Sequence, residues 1–181
     1  MVQPVQSAVV VTVPAAAPVV DEHRARLDPA AGWGVPAHVT VLYPFVPPDL
    51  LDDSVVARLA AAVRQVPAFE CRFARTDWFG ADVLYLAPEP AEPFRLLTSA
   101  VWAAFPEHPP YGGEFADVVP HLTVGHAGNP DQRPAVEAAA ADVTALLPVH
   151  QRLTFVSSRE PCSSYNHSPC RYVRSMAIDG C

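Results

Sequence analysis

Val35-Pro36-Ala37-His38-Val39-Thr40-Val41-Leu42 and Val119-Pro120-His121-Leu122-Thr123-Val124-Gly125 are two versions of one short phrase: a proline, then a histidine and a threonine two apart on an apolar run. In an extended strand side chains i and i+2 project from one face, so each phrase presents an imidazole beside a hydroxyl. Two such strands facing each other can bracket a single phosphate. The repetition also requires a chain built as two similar halves, and the rest of the sequence can be read against that requirement.

Outward from the first phrase, Ser7 to Val13 reads as a strand rich in β-branched residues, followed by a short helical segment from Asp21 to Leu27. The first His-x-Thr strand runs from Ala37 to Tyr43 and is ended by Pro44, Pro47 and Pro48, since proline cannot donate to a ladder. Val55, Val56, Leu59, Val63 and Val66 predict an amphipathic helix over 51–66, with Asp52 and Asp53 at its positive end. Phe69, Cys71 and Phe73 alternate with polar residues as a half-buried strand does, and Asp82 to Leu86 is its hairpin partner through the Gly80 turn. The second round has a helix from Pro93 carried by Phe94, Leu97, Val101 and Phe105, then a flexible Tyr111-Gly112-Gly113 loop before the second phrase. A helix over Pro134 to Leu147 and a strand over Arg152 to Ser157 complete it. The order predicts an α+β chain of two similar halves, each contributing one His-x-Thr strand. From Glu160 the composition turns to Cys, Ser, Pro and Arg, so residues 1–158 are expected to form the domain and 159–181 an atypical tail, in which only Arg171 to Ile178 has strand character.

The 181 residues, half of them hydrophobic, suffice for a core, and the formal charge of -7 repels polyanions, so stable binding to long nucleic acid is not expected. All 12 basic residues are arginine. The absence of lysine removes Schiff-base chemistry, a P-loop lysine and a lysyl-nucleotide intermediate, and with them an ATP-driven ligase. Ser7 to Val20 is apolar but carries no preceding basic residue and is interrupted by Pro14 and Pro18, which argues against a signal peptide or a membrane span. A cytoplasmic monomer with four free cysteines is the expectation.

Two imidazoles, with an ordinary pKa near 6.5, can remove one proton from an attacking oxygen and give another to a leaving oxygen at phosphorus, without a metal or any other cofactor. Hydroxyl donors two residues away suit the charge that develops on the phosphoryl oxygens. His38 and His121 are thus the catalytic candidates, and Thr40 and Thr123 the phosphate holders. On His38-Val39-Thr40-Val41-Leu42-Tyr43-Pro44-Phe45 and His121-Leu122-Thr123-Val124-Gly125, the chain resembles the 2H phosphoesterases, the superfamily of 2'-5' RNA ligases and cyclic phosphodiesterases. The resemblance covers Ser7 to Ser158. It implies an α+β fold of two pseudo-symmetric lobes of antiparallel sheet with flanking helices, the motifs on central strands lining a cleft between the lobes. It also implies His38 and His121 as the acid/base pair, and Thr40 and Thr123 on the phosphate.

The expected function is metal-independent hydrolysis of 2',3'-cyclic nucleotides or related cyclic phosphates, acting on a small phosphorylated nucleotide or an RNA end. Two alternatives share the fold: ATP-independent 2'-5' ligation of RNA ends, and nucleotide binding without turnover. Tyr43 and His126 stand five residues after each histidine and are candidates to border the cleft and touch substrate, although strict alternation turns them away from the histidines, toward the rim or the packing. Phe45, Tyr111 and Trp33 either offer aromatic faces for a base or pack in the core and loops. Arg24 and Arg26 precede the first motif and either reach the phosphate or, as is the common fate of such residues, form a solvated face, while His23, His108 and His150 read as surface residues. Cys162, His167 and Cys170 match no zinc spacing, and no metal site is expected.

Overall fold

The computed structural model describes residues 6–115, 117–128, 130–153 and, as backbone alone, 173–176. The first half holds β1 (Ala8–Thr12), α1 (Ala17–Leu27), the short α2 (Pro29–Gly32), β2 (His38–Leu42) and α3 (Asp53–Val63). The second holds β3 (Phe69–Phe79), β4 (Val83–Glu89), α4 (Glu92–Ala104), β5 (Leu122–His126), α5 (Arg133–Ala145) and β6 (Val149–Leu153), and β7 (Val173–Met176) follows. Two sheets result, with orders β2-β1-β7 and β5-β4-β3-β6. All strand pairs are antiparallel except β1 with β7. The fold is therefore α+β, with one sheet in each lobe.

The two motif strands, central to the molecule, each form the edge of their own sheet, and β2 and β5 pack against one another. The helices cross between the lobes. After β1 the chain runs into α1, which packs on β5 of the other sheet and on α5. After β4 it runs into α4, which packs on β2 and α3, and the α4 hydroxyl Thr98 Oγ1 donates to the Val41 carbonyl at 2.9 Å. Both halves thus repeat strand, helix, strand, helix, with the first helix of each covering its counterpart's sheet.

Local chemistry explains the element boundaries. Asp52 caps α3 by accepting from the amides of Ser54 and Val55, both at 2.9 Å, and from the Ser54 hydroxyl at 2.6 Å; the hydroxyl bond first, then the amides, hold its carboxyl below the usual carboxylate range. α1 starts four residues before the predicted Asp21, because Pro18 is compatible with a first helical turn. β6 lies earlier than the predicted Arg152 to Ser157: Val149 and Leu153 are buried while His150 and Arg152 are exposed, the period of a strand packed on one side. Positions 154–157 lie outside the described residues, as does the expected tail apart from β7. Cys71 is a free, buried thiol, pushed up to about 12 by burial and so unreactive, whereas Cys162, Cys170, Cys181 and His167 lie outside the described residues.

α1 approaches β5 at Gly125, where an added Cβ would stand 2.7 Å from Leu27 Cβ and 3.3 Å from its Cδ1. Only a residue without a side chain admits the helix this close. Gly125→Ala is expected to cost about 1–3 kcal/mol by overpacking, read as a lower urea midpoint with unchanged slope. An unaltered midpoint would show that the helix can retreat freely.

Candidate active site

His38 Nδ1 and Pro36 O are 2.8 Å apart, and His121 Nδ1 and Val119 O are also 2.8 Å apart. A carbonyl can only accept, so each Nδ1 carries the hydrogen. Both rings are thereby oriented by the carbonyl two residues upstream, and in the neutral form each keeps its lone pair on Nε2. Neither Nε2 has a hydrogen-bond partner among the described residues. The two halves thus set their imidazoles identically, although the prolines stand at different distances from them.

The duplication extends to a feature that binary patterning does not reveal. Opposite β2, the register moves from Val10 against Thr40 to Val9 against Leu42; opposite β5, it moves from Tyr85 against Thr123 to Leu84 against Gly125. One extra residue enters each motif strand directly after its threonine, a bulge at Val41 and at Val124. Bulges re-aim side chains and are frequent beside active sites. Before the bulge the alternation holds: His38, Thr40 and Thr123 are half-buried, while Val39, Leu122 and Val124 are fully buried. The hydroxyls of Thr40 and Thr123 make no hydrogen bond within the described residues, so both are available to a ligand.

The two imidazoles have different surroundings. His121 stands edge-on to Phe79, 4.8 Å between centroids, and to Tyr85 at 5.6 Å, and these two rings stack on one another at 4.2 Å. His38 instead faces charge. Arg24 and Asp28, 2% and 5% exposed, form a buried ion pair whose charges both reach it. Burial is the main cause holding both imidazoles below their ordinary pKa of 6.5, against the Nδ1 hydrogen bonds that raise them. Arg24 pushes His38 further down, Asp28 pushes it up, and His121 pushes it down by like-charge repulsion. His121 is pushed down also by His126.

The remaining candidates separate clearly. Phe45 is buried against Phe105, 4.8 Å between centroids, and offers no face to a base. Tyr43 is partly exposed; its hydroxyl donates to Gln6 and its carbonyl accepts from the Tyr111 amide at 2.6 Å. The expected flexible loop is a short turn over Pro110–Gly113, with Tyr111 in the left-handed region at φ 50° and its ring edge-on to Tyr43 and Phe115. Trp33 is exposed. His126 was expected to face away from the motif side, but the bulge at Val124 breaks the strict alternation behind that expectation, and its Nε2 lies 3.8 Å from Asp28 Oδ1. The largest correction concerns Arg24, read as part of a solvated face yet fully buried; Arg26 is exposed beside Glu22. Of the other histidines, His23 has a largely covered side chain 3.8 Å from Asp142, whereas His150 is exposed. Phe79, Tyr85 and Asp28 carried no motif that would have marked them.

Residues 12–160 match the family model described as the 2'-5' RNA ligase superfamily. No curated protein matches the chain. Among the described residues no helix is long and apolar enough to cross a membrane.

Proposed function

The chain belongs to the 2'-5' RNA ligase superfamily, within the 2H phosphoesterases, and on that premise we propose that it hydrolyses 2',3'-cyclic nucleotides or related small cyclic phosphates without a metal. One observation carries the reading: two imidazoles held by equivalent backbone bonds, each with a free Nε2 and a free threonine hydroxyl two residues on, borne on strands that pack together. One neutral Nε2 takes a proton from water as the water oxygen forms its bond to phosphorus. The phosphorus bond to one ribose oxygen breaks, and the protonated Nε2 of the other ring gives that oxygen its proton. The product is a ribonucleoside monophosphate, and the enzyme has exchanged which ring holds the proton. Thr40 and Thr123 donate to the phosphoryl oxygens, whose charge grows toward the transition state.

Ligation through a 2'-5' linkage uses the same groups with a ribose hydroxyl in place of water. The charge of -7 favours a small substrate over long RNA. The test is turnover of a 2',3'-cyclic nucleotide in the presence of EDTA. Turnover that survives chelation supports the proposal; turnover abolished by EDTA overturns the metal-free mechanism, and tight nucleotide binding without turnover favours a binding protein.

A pH profile checks the same mechanism. The active form carries one proton on the pair, so acid protonates the base and alkali strips the acid. Because both pKa values lie below 6.5, kcat/KM is expected to peak on the acid side of pH 6.5 and to fall on either side of that peak. An optimum on the alkaline side of pH 6.5 would contradict the arrangement.

A further inference from the structure

We infer that Arg24, Asp28 and His126 form one polar chain that positions the His38 imidazole and ties it to the strand carrying His121, an inference that rests on the reading of His38 and His121 as acid and base. Arg24 Nε and its terminal nitrogen donate to the same oxygen, Asp28 Oδ2, at 3.1 and 2.9 Å. The other oxygen, Oδ1, accepts from the Ala30 amide at 3.0 Å and faces His126 Nε2 at 3.8 Å. The same terminal nitrogen of Arg24 donates to the Val35 carbonyl at 3.1 Å, and the next carbonyl along, that of Pro36, accepts from His38. A continuous path therefore runs from β5 through the buried pair to the backbone that orients the imidazole of β2.

Stability alone gives no reason for this arrangement. A buried ion pair can often be replaced by apolar residues of similar volume at no loss, because desolvation offsets the Coulombic gain. A pair that donates to the Val35 carbonyl, next to the carbonyl that orients His38, and that faces His126 on the second motif strand is instead suited to hold the His38 ring in place and to bias its protonation. The charges that face His38 are Arg24, Asp28 and His121, and those that face His121 are His38 and His126. Nearby, α1 also carries Asp21, 3.7 Å from Arg24, the exposed Glu22–Arg26 pair, and His23, which meets Asp142 of α5.

The test is a proton NMR titration of the imidazoles in the ligand-free chain, with kcat and KM for a 2',3'-cyclic nucleotide measured alongside. Arg24→Gln is expected to raise the pKa of His38 and Asp28→Asn to lower it. His126→Gln is expected to raise that of His121. The two buried-pair variants should lower kcat by about ten- to a hundredfold with a smaller change in KM. Opposite shifts at His38 distinguish positioning from general damage, which would move the activity and leave the titrations alone. His126 is partly exposed, so its variant keeps the test available should the buried pair prove indispensable for folding. Titrations of His38 and His121 that match wild type in the folded variants would overturn the inference. Absence of turnover in the wild type would defeat the proposed hydrolysis instead, while the titrations would still decide the coupling.

Discussion

His38→Ala and His121→Ala are each expected to lower kcat/KM for a 2',3'-cyclic nucleotide by about 10²- to 10⁴-fold, the range of a positioned acid or base. Each ring is half-buried and bonded only to a backbone carbonyl and its aromatic or charged neighbours, so removing it disturbs the core little. Folding of both variants is read from a melting temperature near that of wild type. Since proton removal and proton delivery belong to one concerted event, the double variant should be little worse than the poorer single one, far from the product of the two losses. Folded variants that retain activity within tenfold of wild type would remove both residues from the mechanism.

Arg24→Met is expected to have the largest effect on stability, about 3–5 kcal/mol, because it strands the Asp28 carboxylate in the interior. The side chains of the pair are 2% and 3% exposed, so water cannot compensate. Asp21 lies 3.7 Å from the guanidinium but is 56% exposed and contributes little. For a domain of this size the loss corresponds to a melting temperature lower by roughly 6–20 °C. Arg24→Met with Asp28→Leu should recover most of it, since no buried charge is then left unpaired. A single variant as stable as wild type would show that Asp28 takes up a proton or is reached by solvent.

What the sequence disclosed follows from how local the signals are. The His-x-Thr phrases, the helix after Asp52 and the Phe69, Cys71, Phe73 alternation depend on spacing within a few residues, and all were readable. The environment of Arg24 was not, because its partners Asp28 and Val35 form a buried cluster only when α1 packs on β5, and an isolated basic residue on a polar segment looks like surface. The bulges after Thr40 and Thr123 are equally invisible in a binary pattern, so strict alternation does not carry through to His126 and its approach to Asp28 was not legible. Phe79 and Tyr85 meet His121 through the pairing of β3, β4 and β5, a set of long-range contacts that no local motif encodes.

The crossing of α1 and α4 between the sheets means that the halves are interlocked. A fragment ending between α3 and β3 would carry β1 and β2 without α4, the helix that covers them, and would expose α1 with nothing to lie on. Neither repeat is a self-sufficient folding unit, despite their likeness. The catalytic pair therefore exists only once the whole chain has closed upon itself, so assembly of the site and completion of the fold are a single cooperative event.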